Sequence, residues 1–174
     1  PKAHPMSQEQ VRAGARAGAG KGCKEAQVSR GGREEEIHET VRADLARFGH
    51  ATTSAYLREM AELVLRETGL QPHINQGLME RDELTSLREV SASMGMMLET
   101  TSRAIFDEPG GAHFGSPYKD PDIRLRVLES AVRLTVAVTT WSLVGSGGGS
   151  KDRVGGVWAR GAAGRLCGDR SPAR

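Results

Sequence analysis

Cysteine, aromatic residues and long apolar runs are all scarce in this chain, and each scarcity removes a class of protein. Cys23 and Cys167 are the two cysteines in 174 residues, too few and too far apart for a disulfide framework or a metal-ligand cluster. A reducing, cytoplasmic compartment is the simplest expectation. No stretch of roughly 18 apolar residues occurs, the length that a membrane-spanning helix needs, and no secretory signal pattern opens the chain. An excess of one charge is lacking too. With 24 basic and 22 acidic residues the net charge is +2, which makes no general case for nucleic acid or a membrane surface as partner. Aromatics are 4% of residues, so a core must be built from aliphatic side chains and methionine.

Glycine, by contrast, is abundant, with 22 copies concentrated in residues 14–32 and 145–168. Between these stretches strand and helix patterns alternate. Ser7 with Gln10 predicts a capping box and a helix over 9–21, weakened by Gly14 and Gly18. Short strands are predicted at 25–29 and 71–75, longer ones at 94–100 and 136–144. Helices are predicted at 34–48, at 54–68 with Gly69 closing it, at 78–90, and from Pro121 onward with Asp120 as N-cap. Cys23 is predicted to be a small buried residue. Such alternation predicts an α/β fold with a parallel sheet and about four βα units, in one domain over 1–145. From 146 to 174 Gly, Arg, Ala and Ser dominate without any period, which predicts a disordered tail.

Residues 94–102 (MGMMLETTS) form an apolar run ending in polar groups, as a buried parallel strand does when it delivers functional side chains at its carboxyl end. The loop 113–121 (HFGSPYKDP) follows and leads into a helix carrying RLRVLESA. With GCKEA at 22–26 and ETGLQPHIN at 67–75, these ordered motifs resemble FO synthase, and most closely the ring-closing half of that radical S-adenosylmethionine (SAM) enzyme family. The likeness implies a partial (β/α) radical-SAM-type barrel. It implies a carbon–nitrogen lyase that forms 7,8-didemethyl-8-hydroxy-5-deazariboflavin from a tyrosine–ribitylaminouracil adduct, with SAM and a 4Fe–4S cluster as cofactors of the intact enzyme. The implied partners are a small-molecule substrate and the tyrosine-using radical SAM half, as a separate subunit or a fused domain. The family's CxxxCxxC loop, whose three thiolates hold the cluster, is not in this sequence. A fragment is therefore expected, opening on Pro1 and holding no cluster by itself. Two alternatives stay open: a non-catalytic orphan fragment, and the related futalosine-cyclising radical SAM family.

The resemblance also implies site residues. Gly31 and Gly32 stand where the family has a Gly-Asp pair near the amino group of SAM. Glu99 matches the strand-end residue that bonds the SAM ribose, a task that suits a carboxylate because it accepts two hydroxyl protons at once. Arg124 matches the residue that binds the methionyl carboxylate, although helix phase alone leaves Arg126 as a competitor. Glu99, Arg124 and Gly31 are expected to face one cleft. His73, Asn75, Thr139 and Thr140 are the substrate-binding candidates, Thr100, Thr101 and Ser102 are either substrate contacts or caps, and Trp141 replaces a family glycine. No catalytic residue and no metal ligand is assigned. On the residues alone each has a plainer reading: Glu99 as a solvated strand end, Arg124 as a solvated helix face, His73 as a structural hydrogen-bonder.

Overall fold

A computed structural model describes residues 4–157 and 161, and the chain divides into two compact units, Pro1–Met94 and Gly95–Arg174. The first unit opens with α1 (Gln8–Gly20) and β1 (Glu25–Ser29). The capping box is present: the Ser7 hydroxyl accepts the Gln10 N–H at 3.3 Å, and Gln10 Oε1 accepts the Ser7 N–H at 2.8 Å. After α2 (Glu34–Ile37), α3 (Glu39–Arg47) and α4 (Thr53–Thr68), β2 (Gln71–Asn75) returns parallel to β1 with Gln27 opposite His73. The Gln71 N–H donates to the Lys24 carbonyl and the Arg30 N–H to the Asn75 carbonyl. Backbone groups of 24, 26, 28 and 30 therefore face β2, and those of 25, 27 and 29 face away. Beyond β2 come α5 (Arg81–Arg88) and β3 (Ser93–Gly95), which lies beside β2; just ahead of β3 the Ala92 N–H donates to the Pro72 carbonyl of β2 at 2.9 Å.

Helix α4 supplies the core of this unit. Its Val64 packs with Ala15 of α1 and Leu70, and its Tyr56 and Met60 pack with Val41 and Leu45 of α3. Arg12 and Arg16 hold Glu67 at 2.9 and 3.0 Å, tying α1 to α4. The Arg12 hydrogen bond keeps the Glu67 carboxyl below its ordinary range, against the upward push of burial. Two expectations fail here. The helix predicted over 34–48 is broken at His38, whose backbone is extended. Glu35 explains this: its carboxylate turns to the start of α4, accepting the Thr53 N–H at 3.0 Å and the Thr53 hydroxyl. Ile37 is left exposed while Val41 and Leu45 are buried. Cys23, predicted to be buried, is exposed, because it enters β1 at an edge that nothing among the described residues covers.

The second unit contains α6 (Arg103–Asp107), a 3-10 turn (Pro117–Lys119), α7 (Pro121–Arg133) and β4 (Val138–Thr139). The strands predicted at 94–100 and 136–144 shrink to three and two residues. The cause is a side chain inserted into the ladder. Met96 N–H donates to the Thr139 carbonyl at 3.0 Å, but the Leu98 N–H goes to the Thr140 hydroxyl at 3.1 Å. Glu99 then adopts a left-handed backbone, φ 63°, and parallel pairing resumes as a single bridge to Ser142.

The tail reading also needs correction, because residues 150–157 are helical. The Asp152 carboxylate accepts the Gly149 N–H at 2.8 Å, and its carbonyl accepts the Thr101 hydroxyl at 3.2 Å. A Cβ on Gly155 would lie 3.0 Å from the Thr101 hydroxyl oxygen. The small residues that suggest looseness thus permit close packing. Residues 158–160 and 162–174 of the predicted tail lie outside the described residues. Among the described residues no helix is long and apolar enough to cross a membrane.

Asp120 caps α7 as predicted, accepting the N–H groups of Asp122 at 2.8 Å and Ile123 at 3.2 Å. Burial alone would raise its pKa, but the Ile123 N–H, Arg103 and the Asp122 N–H together hold it below the ordinary value. Replacing Asp120 by Ala is expected to cost about 1 kcal/mol at neutral pH. Because the folded pKa is depressed, that contribution is complete above the unfolded value near ~4 and is lost as pH falls through the lower folded value. Urea midpoints of the parent and the variant should therefore converge in acid.

Candidate cofactor site

The groups with the richest chemistry in the second unit converge on Glu99. Its left-handed backbone is pinned on both sides, its N–H donating to the Trp141 carbonyl at 2.9 Å and its carbonyl accepting the Leu143 N–H at 2.7 Å. This turns the side chain out of the strand line toward α7 and the loop before it. Three cationic or potentially cationic groups meet its carboxylate. Arg124 lies 3.4 Å from Oε1, Lys119 donates to Oε1, and His113 Nε2 lies 3.0 Å from Oε2.

Arg124 settles the choice that helix phase leaves open. It is 6% exposed, whereas Arg126 is exposed. Its guanidinium donates to the Tyr118 carbonyl at 2.9 Å and to the Met97 carbonyl. Burial pushes its pKa down from arginine's ordinary value, and the charge of Glu99 opposes this. On the other side, Glu99 Oε2 and His113 Nε2 are close but poorly aligned, so neither buried atom has a hydrogen-bond partner among the described residues. An orphaned carboxylate oxygen beside surplus positive charge is suited to receive a ligand's hydroxyl while the cations receive its anion.

The remaining candidates divide between structural and open roles. Thr140 uses its hydroxyl to hold the Leu98 N–H, and Thr139 is exposed with its carbonyl bound to Met96. Thr100 accepts the Ser102 N–H at 3.0 Å, a local bond in the loop before α6, and Trp141 is 61% exposed. In the first unit, His73 is buried and bonded through Nδ1 to the Ser93 hydroxyl at 2.6 Å, the structural role of a plain core histidine. The Asn75 carbonyl serves Arg30. The Gly31 N–H is taken by Glu34 at 3.1 Å. A Cβ on Gly32 would lie 3.0 Å from the Leu78 nitrogen and 3.1 Å from the Gln76 oxygen, so a side chain there would be tight against that backbone.

Sequence reasoning missed His113, Lys119 and Gln76. The first two sit in the recognised loop but carry no spacing that singles them out. Gln76 is fully buried, donates to Ser54 at 2.6 Å and leaves its own oxygen without a partner. Among the described residues no His, Cys, Asp and Glu side chains are grouped to hold a metal, and two cysteines do not fit a cluster that needs three thiolates.

Removing the Glu99 charge should leave buried Arg124 uncompensated. Glu99→Gln is expected to lower the unfolding free energy by about 3 kcal/mol, against less than about 0.5 kcal/mol for Arg126→Ala on the open face. Urea titrations of the two variants check this contrast.

No protein-family model matches the chain. It is 53% identical over 133 residues to the FO synthase of Mycobacterium leprae (strain TN), covering 76% of this chain and 15% of that protein. To the FO synthase of Streptomyces coelicolor it is 44% identical over 154 residues, 88% of this chain and 18% of the other. To the 7,8-didemethyl-8-hydroxy-5-deazariboflavin synthase of Methanococcus maripaludis it is 38% identical over 137 residues, 79% of this chain and 38% of the other. The chain thus spans less than half the length of each of these relatives. Methylornithine synthase (PylB) superposes with a TM-score of 0.65 at 18% identity, over 91% of this chain and 41% of that one. That likeness is one of fold, and it bears out the α/β, partial-barrel expectation. Over about four fifths of its length, then, the chain is homologous to one segment of the FO synthases.

Proposed function

We propose that this chain is the part of a cytoplasmic radical SAM FO synthase that seats SAM, serving a lyase reaction that closes the deazaflavin ring of a tyrosine–ribitylaminouracil adduct. The observation that carries the reading is the buried Glu99–Arg124 pair, with Glu99 Oε2 near His113 but without a hydrogen-bond partner among the described residues, within a segment up to 53% identical to FO synthase. SAM, bound to a 4Fe–4S cluster, supplies the radical chemistry when present. This chain's own residues bind and orient. Glu99 accepts hydroxyl protons of the ribose on its orphaned oxygen. Arg124, fixed by two backbone carbonyls, offers a positive charge to the methionyl carboxylate without having to be ordered at the moment of binding. Lys119 adds a second cation from the half-exposed rim.

A chimera tests the assignment: the aligned stretch of the M. leprae enzyme is replaced by this chain, and deazaflavin fluorescence is followed. The chimera should make FO, and Glu99→Gln or Arg124→Met in it should raise the KM for SAM at least about tenfold, the worth of a charged hydrogen bond. An unchanged KM in both would remove the pair from the site. Taken alone, the 174 residues should bind no cluster and release no 5′-deoxyadenosine after anaerobic treatment with iron and sulfide, since their two cysteines cannot supply three thiolates. Stoichiometric iron with product formation would overturn that.

A further inference from the structure

The second unit carries a groove of about 420 Å3, lined by Thr140, Trp141, Ser142, Val144, Arg153 and Val157, whose chemistry the Glu99–Arg124 pair does not use. Its apolar members stand open to water: Trp141 is 61%, Val144 70% and Val157 59% exposed. Large apolar side chains grouped in this way mark a contact surface. The groove is also built on fixed supports. The Trp141 carbonyl accepts the Glu99 N–H at 2.9 Å, and the Leu143 N–H donates to the Glu99 carbonyl at 2.7 Å. The backbone on both sides of Ser142 is thereby clamped, and the indole is presented from a rigid segment. Arg153 and Val157 belong to the helical residues 150–157, which the Thr101 hydroxyl anchors through the Asp152 carbonyl at 3.2 Å.

Charge decides what the surface takes. Arg153 is exposed, and among the described residues its guanidinium has no ion pair and no hydrogen bond. No acidic residue lines the groove with it. We infer that the groove binds a planar aromatic ring carrying an acidic group, the ring stacked on Trp141 and the anion paired with Arg153. An indole face offers a flat ring an offset stack, and the guanidinium fork matches a carboxylate or a phosphate. A wholly apolar occupant, small molecule or polypeptide, would cover the arginine without a counter-charge, which is costly. A bare inorganic anion would leave the indole and the valines in water and gain nothing from them. A flat ring with an acid on it satisfies both halves of the groove at once.

The test uses the full 174-residue chain and two probes, FMN and 2-naphthoate, which carry the phosphate and the carboxylate form of this chemistry. Flavin emission is quenched when the ring stacks on an indole, so titration of FMN with the chain reads the contact directly. Quenching should saturate, and 2-naphthoate should reverse it. Riboflavin, which has the same ring without the phosphate, should bind at least about fivefold more weakly, the upper worth of an exposed ion pair. Trp141→Ala should weaken FMN at least about fivefold, the least that a lost ring stack costs. Arg153→Gln should bring FMN down to the affinity of riboflavin and leave riboflavin unchanged. Trp158→Phe, which removes the other tryptophan of the chain, should still quench. Trp141 and Arg153 are both exposed, so the urea midpoints of their variants should match the parent, which separates lost binding from lost folding. The inference is overturned if neither FMN nor 2-naphthoate binds saturably, or if riboflavin binds as tightly as FMN. It is also overturned if Trp141→Ala and Arg153→Gln bind FMN as the parent does, or if inorganic phosphate displaces FMN at equal concentration.

Discussion

A guanidinium taken almost wholly out of water must be surrounded by acceptors, and this requirement shapes the second unit. Arg124 is 6% exposed and finds the Tyr118 and Met97 carbonyls and the Glu99 carboxylate. Each acceptor comes from an irregular backbone. Met97 and Glu99 lie where the β3 ladder is interrupted, and Tyr118 lies in the short turn before α7. A regular strand through 94–100 would give its carbonyls to a neighbouring strand and leave the arginine unpaired. The left-handed Glu99 and the truncated strands therefore belong with the buried charge, since an unpaired ion in such a place costs several kcal/mol.

The first unit is governed by apolar burial instead. Helix α4 presents Tyr56, Leu57, Met60, Leu63 and Val64, all buried, and the helices on either side are tied to it by polar clamps at its ends. Glu67 receives Arg12 and Arg16 near its C-terminus, and Glu35 reaches the Thr53 N–H at its start. The close approach of Gly32 to the backbone of residues 76–78 brings the turns after β1 and β2 together. A side chain at Gly32 would be tight against that backbone.

The sequence was most informative where structure is local. Strands at 25–29 and 71–75, the Ser7 capping box, the α4 boundaries with Gly69 in a left-handed conformation, and the Asp120–Pro121 start of α7 were all legible. Capping and hydrophobic period depend on residues within a turn or two of one another. Local patterns were misleading at 34–48, where Glu35 is claimed by a residue 18 positions away, and at 150–157, where glycine marks tight packing as readily as looseness.

By itself, then, the sequence determined the α/β class, the order of the strands, the caps of α1, α4 and α7 and, through five short motifs, its kinship with part of the FO synthases. The tertiary structure alone decided that Arg124 rather than Arg126 is buried, that His73 serves Ser93, that β3 and β4 stop early, and that His113 and Lys119 join Glu99. The physical reason is the same in each case. Burial and hydrogen-bond partners are set by groups distant in the chain, and no period of 2 or 3.6 residues carries that information.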